Sequence, residues 1–256
     1  MTLAAQRVHH GVNADGVALV RLDHPPANAI DLAMCEALVT ALHAVDSAQA
    51  IVLTGSGKLF CGGGDLPSFL DDDGLDNDLL RATACGAAEV VRTVVAGPPI
   101  VAAINGPVAG AGLGLALCCD ARICVPGTRF VGGFAQLGLS PDTSTSFFLP
   151  RTIGRARALR LLLDPRGIGT DQALEWGLVD AIEPAGRMLD AARTLAGAWA
   201  KGPRQAVVTS RTLVDAEYEL EAHLAEEVRN ITRLCTDPIV GQRMRAFVGG
   251  GTALDG

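Results

Sequence analysis

The chain has 256 residues, 49% of them hydrophobic, so it is long enough to bury a substantial core and short enough to form one domain. A net charge of −7 and the lack of a basic run argue against nucleic-acid binding. The seven cysteines form an odd set without a Cys-x-x-Cys pair, which predicts free thiols in a reducing cytoplasm. The five histidines have no metal-ligand spacing, so we predict no metal site.

A stretch without any charge, residues 93–119, has the hydropathy of a membrane span. Its prolines and glycines divide it into a strand, a loop and a short helix, so we expect no membrane segment. The first ten residues show no charged-then-apolar signal pattern, and we expect a cytoplasmic protein.

The predicted elements begin with a strand at residues 17–23 and a helix that Asp31 caps. A strand at residues 50–53 precedes a first glycine loop, and a solvated stretch at residues 71–74 precedes a long helix over residues 79–95. A strand at residues 100–104 then leads through a second glycine loop into a short helix at residues 113–119.

Further strands are predicted at residues 121–125 and 178–182. Thr170 precedes a helical segment as a cap, and Asp237 is a second cap, followed by proline at the first helical position. Nearly everything after residue 185 has helical spacing, so the sequence predicts an α/β architecture with a helical C-terminal part.

The two glycine loops, Phe60–Asp65 and Ala103–Gly114, each follow an apolar run that is typical of a buried strand. Unpaired N–H groups at such loops and at a helix start can stabilise an oxygen that becomes negative during a reaction. A dinucleotide loop is excluded because Leu115 stands where its third small residue is required, and no Gly-Lys-Ser/Thr phosphate loop is present. The pattern therefore predicts an oxyanion hole.

Both loops, and the segment Phe130–Gly154, resemble the crotonase superfamily, also called the enoyl-CoA hydratase and isomerase family. The likeness extends from Asp23 to Phe247. It implies a spiral of β-β-α turns, with an acyl-CoA-binding core at residues 1–185. It also implies a helical region at residues 186–256 that packs in trimers or dimers of trimers, within one continuous domain.

The resemblance implies that the amides of Gly64 and Ala111 donate to the thioester carbonyl of an acyl-CoA substrate. Coenzyme A is then part of the substrate, and no separate cofactor is implied. Substrate contacts are expected at Ala27, Gly62, Gly63, Asp65, Leu66, Phe134 and Phe247. Glycines 249–251 stand where the family often carries a basic residue towards coenzyme A.

Hydratases of this family use two glutamates, and the matching positions here are Gly114 and Phe134. Hydration needs one group to activate water and one to protonate the alpha carbon. Ordinary hydratase activity is therefore not expected, and the Phe134 ring would occupy space that water needs.

A different carboxylate, Asp142, lies in the run Gly138-Leu139-Ser140-Pro141-Asp142, which resembles the isomerase-like branch of the family. The resemblance implies that Asp142 carries a proton from one carbon to another during double-bond migration. The alternative is that Asp142 is only a helix N-cap. Two other functions stay open: a non-catalytic acyl-CoA binder and a thioester hydrolase.

Two further residues of the first loop have structural interpretations. Asp65 is expected to cap the next helical turn, and Cys61 is expected to be a small buried thiol rather than a nucleophile.

Overall fold

The computed structural model describes residues 6–72, 74–215 and 217–250. Predictions that concern the first five residues, Asp73 or Gly251 lie outside these ranges. The strands are β1 (Val8–Val12), β2 (Val17–Leu22), β3 (Ala50–Gly55), β4 (Ile100–Ile104), β5 (Val108–Ala109), β6 (Ala121–Cys124), β7 (Arg129–Val131), β8 (Ile168–Gly169) and β9 (Ala181–Ile182).

The helices are α1 (Leu32–Ala44), α2 (Asn77–Ala96), α3 (Ala111–Leu117), α4 (Thr145–Ile153), α5 (Arg155–Leu163), α6 (Thr170–Trp176), α7 (Ala185–Trp199), α8 (Arg204–Asp215), α9 (Glu217–Cys235) and α10 (Pro238–Val248). Short 3-10 helices occupy Leu66–Phe69 and Ala135–Leu137. The mixed α/β class with a helical C-terminal part is confirmed.

Two sheets organise the fold. The larger has the strand order β1-β2-β3-β4-β6-β9, in which β1 and β2 are antiparallel and the other neighbours are parallel. The smaller has the order β5-β7-β8. Every residue of β3 and β4 is buried, which explains their uninterrupted apolar sequences.

Helices cover both faces of the larger sheet. On one face, Ile51 and Leu53 belong to the core that includes Leu38 of α1 and Val91 of α2. On the other face, Val52 packs in a cluster with α7. A third apolar cluster joins the 3-10 helices to α2, α9 and α10, and its members include Phe69, Leu80, Phe134, Ile231 and Met244. This third cluster surrounds the candidate site.

Most of the predicted elements and two predicted caps are confirmed. Asp31 accepts a hydrogen bond from Met34 N at 2.7 Å, and Asp237 accepts one from Ile239 N at 3.0 Å. The uncharged stretch at residues 93–119 is divided among α2, β4, β5 and α3. Among the described helices, none is both long enough and apolar enough to cross a membrane.

Several boundaries differ from the prediction. Thr170 is the first residue of α6 rather than its cap, and Gly169 occupies the N-cap position. The strand predicted at residues 178–182 is reduced to β9 because Leu178 N and Val179 N both donate to Ala173 O and close the end of α6. Helix α3 begins at Ala111, two residues earlier than predicted.

Four strands were not predicted. β1 is an edge strand whose last four residues are all exposed, so its sequence has no alternation of apolar and polar residues. β5, β7 and β8 have two or three residues each, too few for a periodic pattern.

Candidate active site

The two glycine loops are neighbours because they follow the carboxyl ends of two adjacent parallel strands, β3 and β4. Thr54 Oγ1 at the end of β3 donates to Ala103 O of β4 at 2.7 Å. Beyond the strands the two segments continue to pair, since Ala109 N donates to Cys61 O at 3.1 Å. The register of the sheet therefore brings both loops together.

Gly64 and Ala111 lie on the wall of one cavity, whose volume is about 330 Å³. Neither amide N–H has an acceptor within the described part of the chain. Within the second loop, Gly110 has a φ of 51°, a conformation that favours glycine, and its own N–H donates to Val131 O. Two main-chain donors thus remain available at one cavity wall.

Two asparagine side chains fix the segment between β3 and the first loop. Asn28 is buried, and its Nδ2 donates to Ser56 O and Leu59 O, both at 2.9 Å. Asn105 Nδ2 donates to Gly57 O and Leu59 O, both at 3.1 Å. Sequence reasoning did not assign these residues a role, although each is an isolated polar residue next to apolar segments.

Asp142 lies on the wall of the same cavity and is only 9% exposed. Burial raises the pKa of its carboxyl from 3.8 to about 6, although Thr143 Oγ1 donates to Asp142 Oδ1 at 2.9 Å and opposes the rise. The N-cap of α4 is Ser144, two residues later. The interpretation of Asp142 as a helix N-cap is therefore wrong.

The structure explains why Gly114 and Phe134 stand at the two positions where hydratases of the family carry glutamate. A Cβ atom on Gly114 would lie 2.1 Å from Thr143 O, so a glutamate there is incompatible with the turn that follows Asp142. Phe134 is buried, and its ring belongs to the cavity wall. Among the described residues that line the cavity, Asp142 is the one carboxylic acid.

The rest of the cavity wall is mostly apolar. Segments 66–80 and 130–148 contribute several of these residues, and Ala84 of α2, Ile231 of α9 and Met244 of α10 complete the wall. Thr83 lines the cavity as well, and its buried Oγ1 has no hydrogen-bond partner. Ile231 and Met244 were missed because only the tertiary packing of the last helices brings them to the site.

Of the other predicted substrate contacts, four line the cavity and two do not. Gly62, Gly63 and Leu66 line the cavity, and so does Phe247, which is 57% exposed. Ala27 and Asp65 are not among its lining residues, although Ala27 O accepts from Gly62 N at 2.9 Å. Their contact with coenzyme A stays a prediction.

Asp65 precedes the 3-10 helix Leu66–Phe69 at the N-cap position, but its side chain makes no capping hydrogen bond. Its carboxylate instead comes within 4.8 Å of ligand atoms of His24 and Asp31. Asp31 already caps α1 and forms an ion pair with Arg7. This cluster was not foreseen, because its members are far apart in the sequence.

Cys61 is fully buried, and burial raises the pKa of its thiol to about 12. Because the thiolate is the nucleophilic form, this residue does not act as a nucleophile near neutral pH. The prediction of a small buried thiol is confirmed.

A family model described as enoyl-CoA hydratase/isomerase matches residues 13–248. The chain belongs to the enoyl-CoA hydratase/isomerase family. Its fold agrees with this assignment, because the crystal structure of an enoyl-CoA hydratase from Bacillus halodurans superimposes with a TM-score of 0.86 at 27% identity, covering 94% of this chain and 99% of the other. The predicted crotonase-superfamily membership and fold are thus confirmed.

Relatives within the enoyl-CoA hydratase/isomerase family are named for different activities. 4-Chlorobenzoyl coenzyme A dehalogenase-2 of an Arthrobacter species is 32% identical over 247 residues, covering 92% of this chain and 88% of the relative. 1,2-Epoxyphenylacetyl-CoA isomerase of Escherichia coli K12 is 35% identical over 186 residues, covering 69% of this chain and 71% of the relative. The family acts on acyl-CoA thioesters, and membership does not by itself select the reaction.

Proposed function

We propose that this chain isomerises the double bond of an enoyl-CoA, with Asp142 as its proton shuttle and the amides of Gly64 and Ala111 as its oxyanion hole. One observation carries the proposal: a single buried carboxyl shares an apolar cavity with two unpaired main-chain donors. The E. coli relative named as an isomerase supports the same reaction class.

The reaction needs one carboxylate. Asp142 removes a proton from the alpha carbon of a beta,gamma-enoyl-CoA, and the electron pair of that bond moves towards the thioester oxygen. The two amides stabilise the resulting negative oxygen, as preorganised donors do at developing charges. Protonated Asp142 then returns the proton to the gamma carbon, and the double bond shifts to the alpha,beta position.

The carboxyl of Asp142 is suited to both halves of this transfer. Its pKa of about 6 lies near neutrality, where a group can accept a proton and release it again. The apolar wall formed by Phe134 and its neighbours disfavours a nucleophilic water beside the substrate. Hydration is accordingly the less favoured reaction.

Binding follows the family resemblance. We propose that coenzyme A lies along Ala27, Asp65 and the neighbouring glycines of the first loop, and that Phe247 contacts it at the exposed rim. The apolar residues around Phe134 would contain the acyl group. Assembly into trimers or dimers of trimers is proposed on the same resemblance.

The test is proton exchange at the alpha carbon in heavy water, followed by product analysis, with a panel of beta,gamma-enoyl-CoAs. Asp142→Asn should lower both exchange and isomerisation by about 100-fold or more while ligand-induced thermal stabilisation persists. Asp171→Asn changes an exposed aspartate of α6 and is the matched control.

Each alternative gives a different result. Unaltered turnover in Asp142→Asn removes this residue from the mechanism. Ligand-dependent stabilisation without exchange identifies a non-catalytic binder, and release of free coenzyme A thiol identifies a thioester hydrolase.

A further inference from the structure

Helix α4 begins three residues after Asp142, and its capping group comes from another helix. Glu227 of α9 is 4% exposed, and its two carboxylate oxygens accept from Ser144 N at 2.7 Å and from Ser146 N at 2.9 Å. The hydroxyl of Ser146 also donates to Glu227 Oε1. The side chain of Ser144, the N-cap residue, makes no capping hydrogen bond.

This arrangement changes what Asp142 can do. The first N–H groups of a helix need acceptors, and an aspartate just before the helix ordinarily supplies one. Glu227 accepts from Ser144 N and Ser146 N, whereas the Asp142 carboxyl has local bonds, from the Thr143 hydroxyl and from its own main chain. Asp142 itself lines the cavity.

The turn after Asp142 has an unfavourable backbone conformation. Thr143 and Ser144 have φ values of 52° and 61°, in the left-handed region that residues with a Cβ rarely adopt. Such conformations persist only when surrounding contacts fix them. Two contacts do so here: the bond that Ser144 N donates to Glu227 and the close approach of Gly114 to Thr143.

We infer that Glu227 is a positioning residue, which caps α4 in place of Asp142 and thereby holds the Asp142 carboxyl at the cavity wall. The inference rests on the proposed function, since it assigns a task to Glu227 only if Asp142 transfers the proton. Glu227 itself is not among the residues that line the cavity.

The groups that face Glu227 come from three elements. They are Asp142 in the turn, Ser146 on α4 and His223 on α9, whose Nε2 lies 2.8 Å from Ser146 Oγ. Burial and the nearby Arg151 lower the pKa of His223, so its neutral ring can donate from Nε2 to Ser146. Burial raises the pKa of Glu227 to about 7, and the nearby Asp142 adds to the rise. The charge of Asp142 therefore opposes the ionisation of Glu227.

Glu227→Gln is the decisive variant, because a glutamine keeps the shape but replaces one acceptor oxygen with a donor. It cannot accept from both Ser144 N and Ser146 N. We expect kcat to fall on the order of 100-fold, as a displacement of about 1 Å does at a catalytic group, with KM changed less than about twofold.

Glu226→Gln is the matched control, since Glu226 lies next in sequence on an exposed part of α9 and bonds to Arg229 and Asn230. If Glu227→Gln does not fold, Ser146→Ala replaces it: this variant removes one of the three bonds to Glu227 and keeps both backbone donors. A fall in kcat of about fivefold is then expected.

The outcomes separate the two proposals. If wild-type protein shows neither proton exchange nor isomerisation, the proposed function fails. If wild type is active and Asp142→Asn is not, but Glu227→Gln keeps wild-type kcat, the inference about Glu227 alone is overturned. A uniform loss of folded protein without a change in kcat per folded molecule also overturns it.

Discussion

Gly114→Ala adds a single methyl group at the point where α3 contacts the turn after Asp142. The new Cβ would lie 2.1 Å from Thr143 O and 2.6 Å from Thr145 Oγ1, whereas real Cβ contacts essentially never fall below 3.0 Å. The first contact is with backbone, so the turn itself must retreat by about 1 Å. We expect a loss in the free energy of unfolding of about 1–3 kcal/mol, typical of overpacking.

The same displacement moves Asp142, so kcat for isomerisation should fall on the order of 100-fold. Urea unfolding and steady-state kinetics on the purified variant measure the two effects. Gly186→Ala is the control, because nothing lies within 4 Å of a Cβ at this position of α7. It should change the free energy of unfolding by no more than about 0.5 kcal/mol and leave kcat unchanged. Wild-type stability and kcat in Gly114→Ala would refute the packing argument and, with it, the explanation for glycine at this position.

Four further predictions test other parts of the site. Because Asp142 must be ionised to remove a proton and burial raises its pKa to about 6, kcat/KM should fall as pH decreases below about 6, and a flat profile from pH 5 to 8 would contradict this. The stability linked to this raised pKa is present below about pH 4 and is lost as pH rises through about 6. In urea titrations, the free energy of unfolding of Asp142→Asn should therefore rise by up to about 3 kcal/mol relative to that of wild type between pH 4 and pH 8. A difference between the two proteins that stays constant with pH would be inconsistent with a raised pKa. Asn28→Ala should lower the free energy of unfolding by about 2–4 kcal/mol, because it leaves Ser56 O and Leu59 O without this donor and places alanine at a φ of 50°. A change below about 1 kcal/mol, or about a factor of 5 in the unfolding equilibrium, would mean that water replaces the side chain. Thr83→Val should raise the melting temperature or leave it unchanged, because the buried Oγ1 of Thr83 has no partner, and a clear decrease would reveal an unseen bond.

Much of the fold could be predicted because its signals are local. Fully buried strands such as β3 and β4 have uninterrupted apolar sequences, and the caps Asp31 and Asp237 bond to amides only two or three residues away. The edge strand β1 and the very short strands were missed because pairing, and not periodicity, defines them.

The interpretation of Asp142 shows where local reasoning ends. A proline, an aspartate and a run of Thr and Ser predict a helix N-cap, and within the sequence nothing contradicts that. The structure overturns it through Glu227, a residue 85 positions away in the chain, which occupies the capping role.

The sequence by itself therefore determined the family resemblance, the pair of glycine loops and the absence of glutamate at positions 114 and 134. Only the tertiary structure decided that both loops and Asp142 share one cavity and that the C-terminal helices complete its apolar wall. The physical reason is range: backbone conformation and burial are encoded within a few residues. A cavity and the pKa of a carboxyl on its wall depend on groups that become neighbours only when the chain has folded.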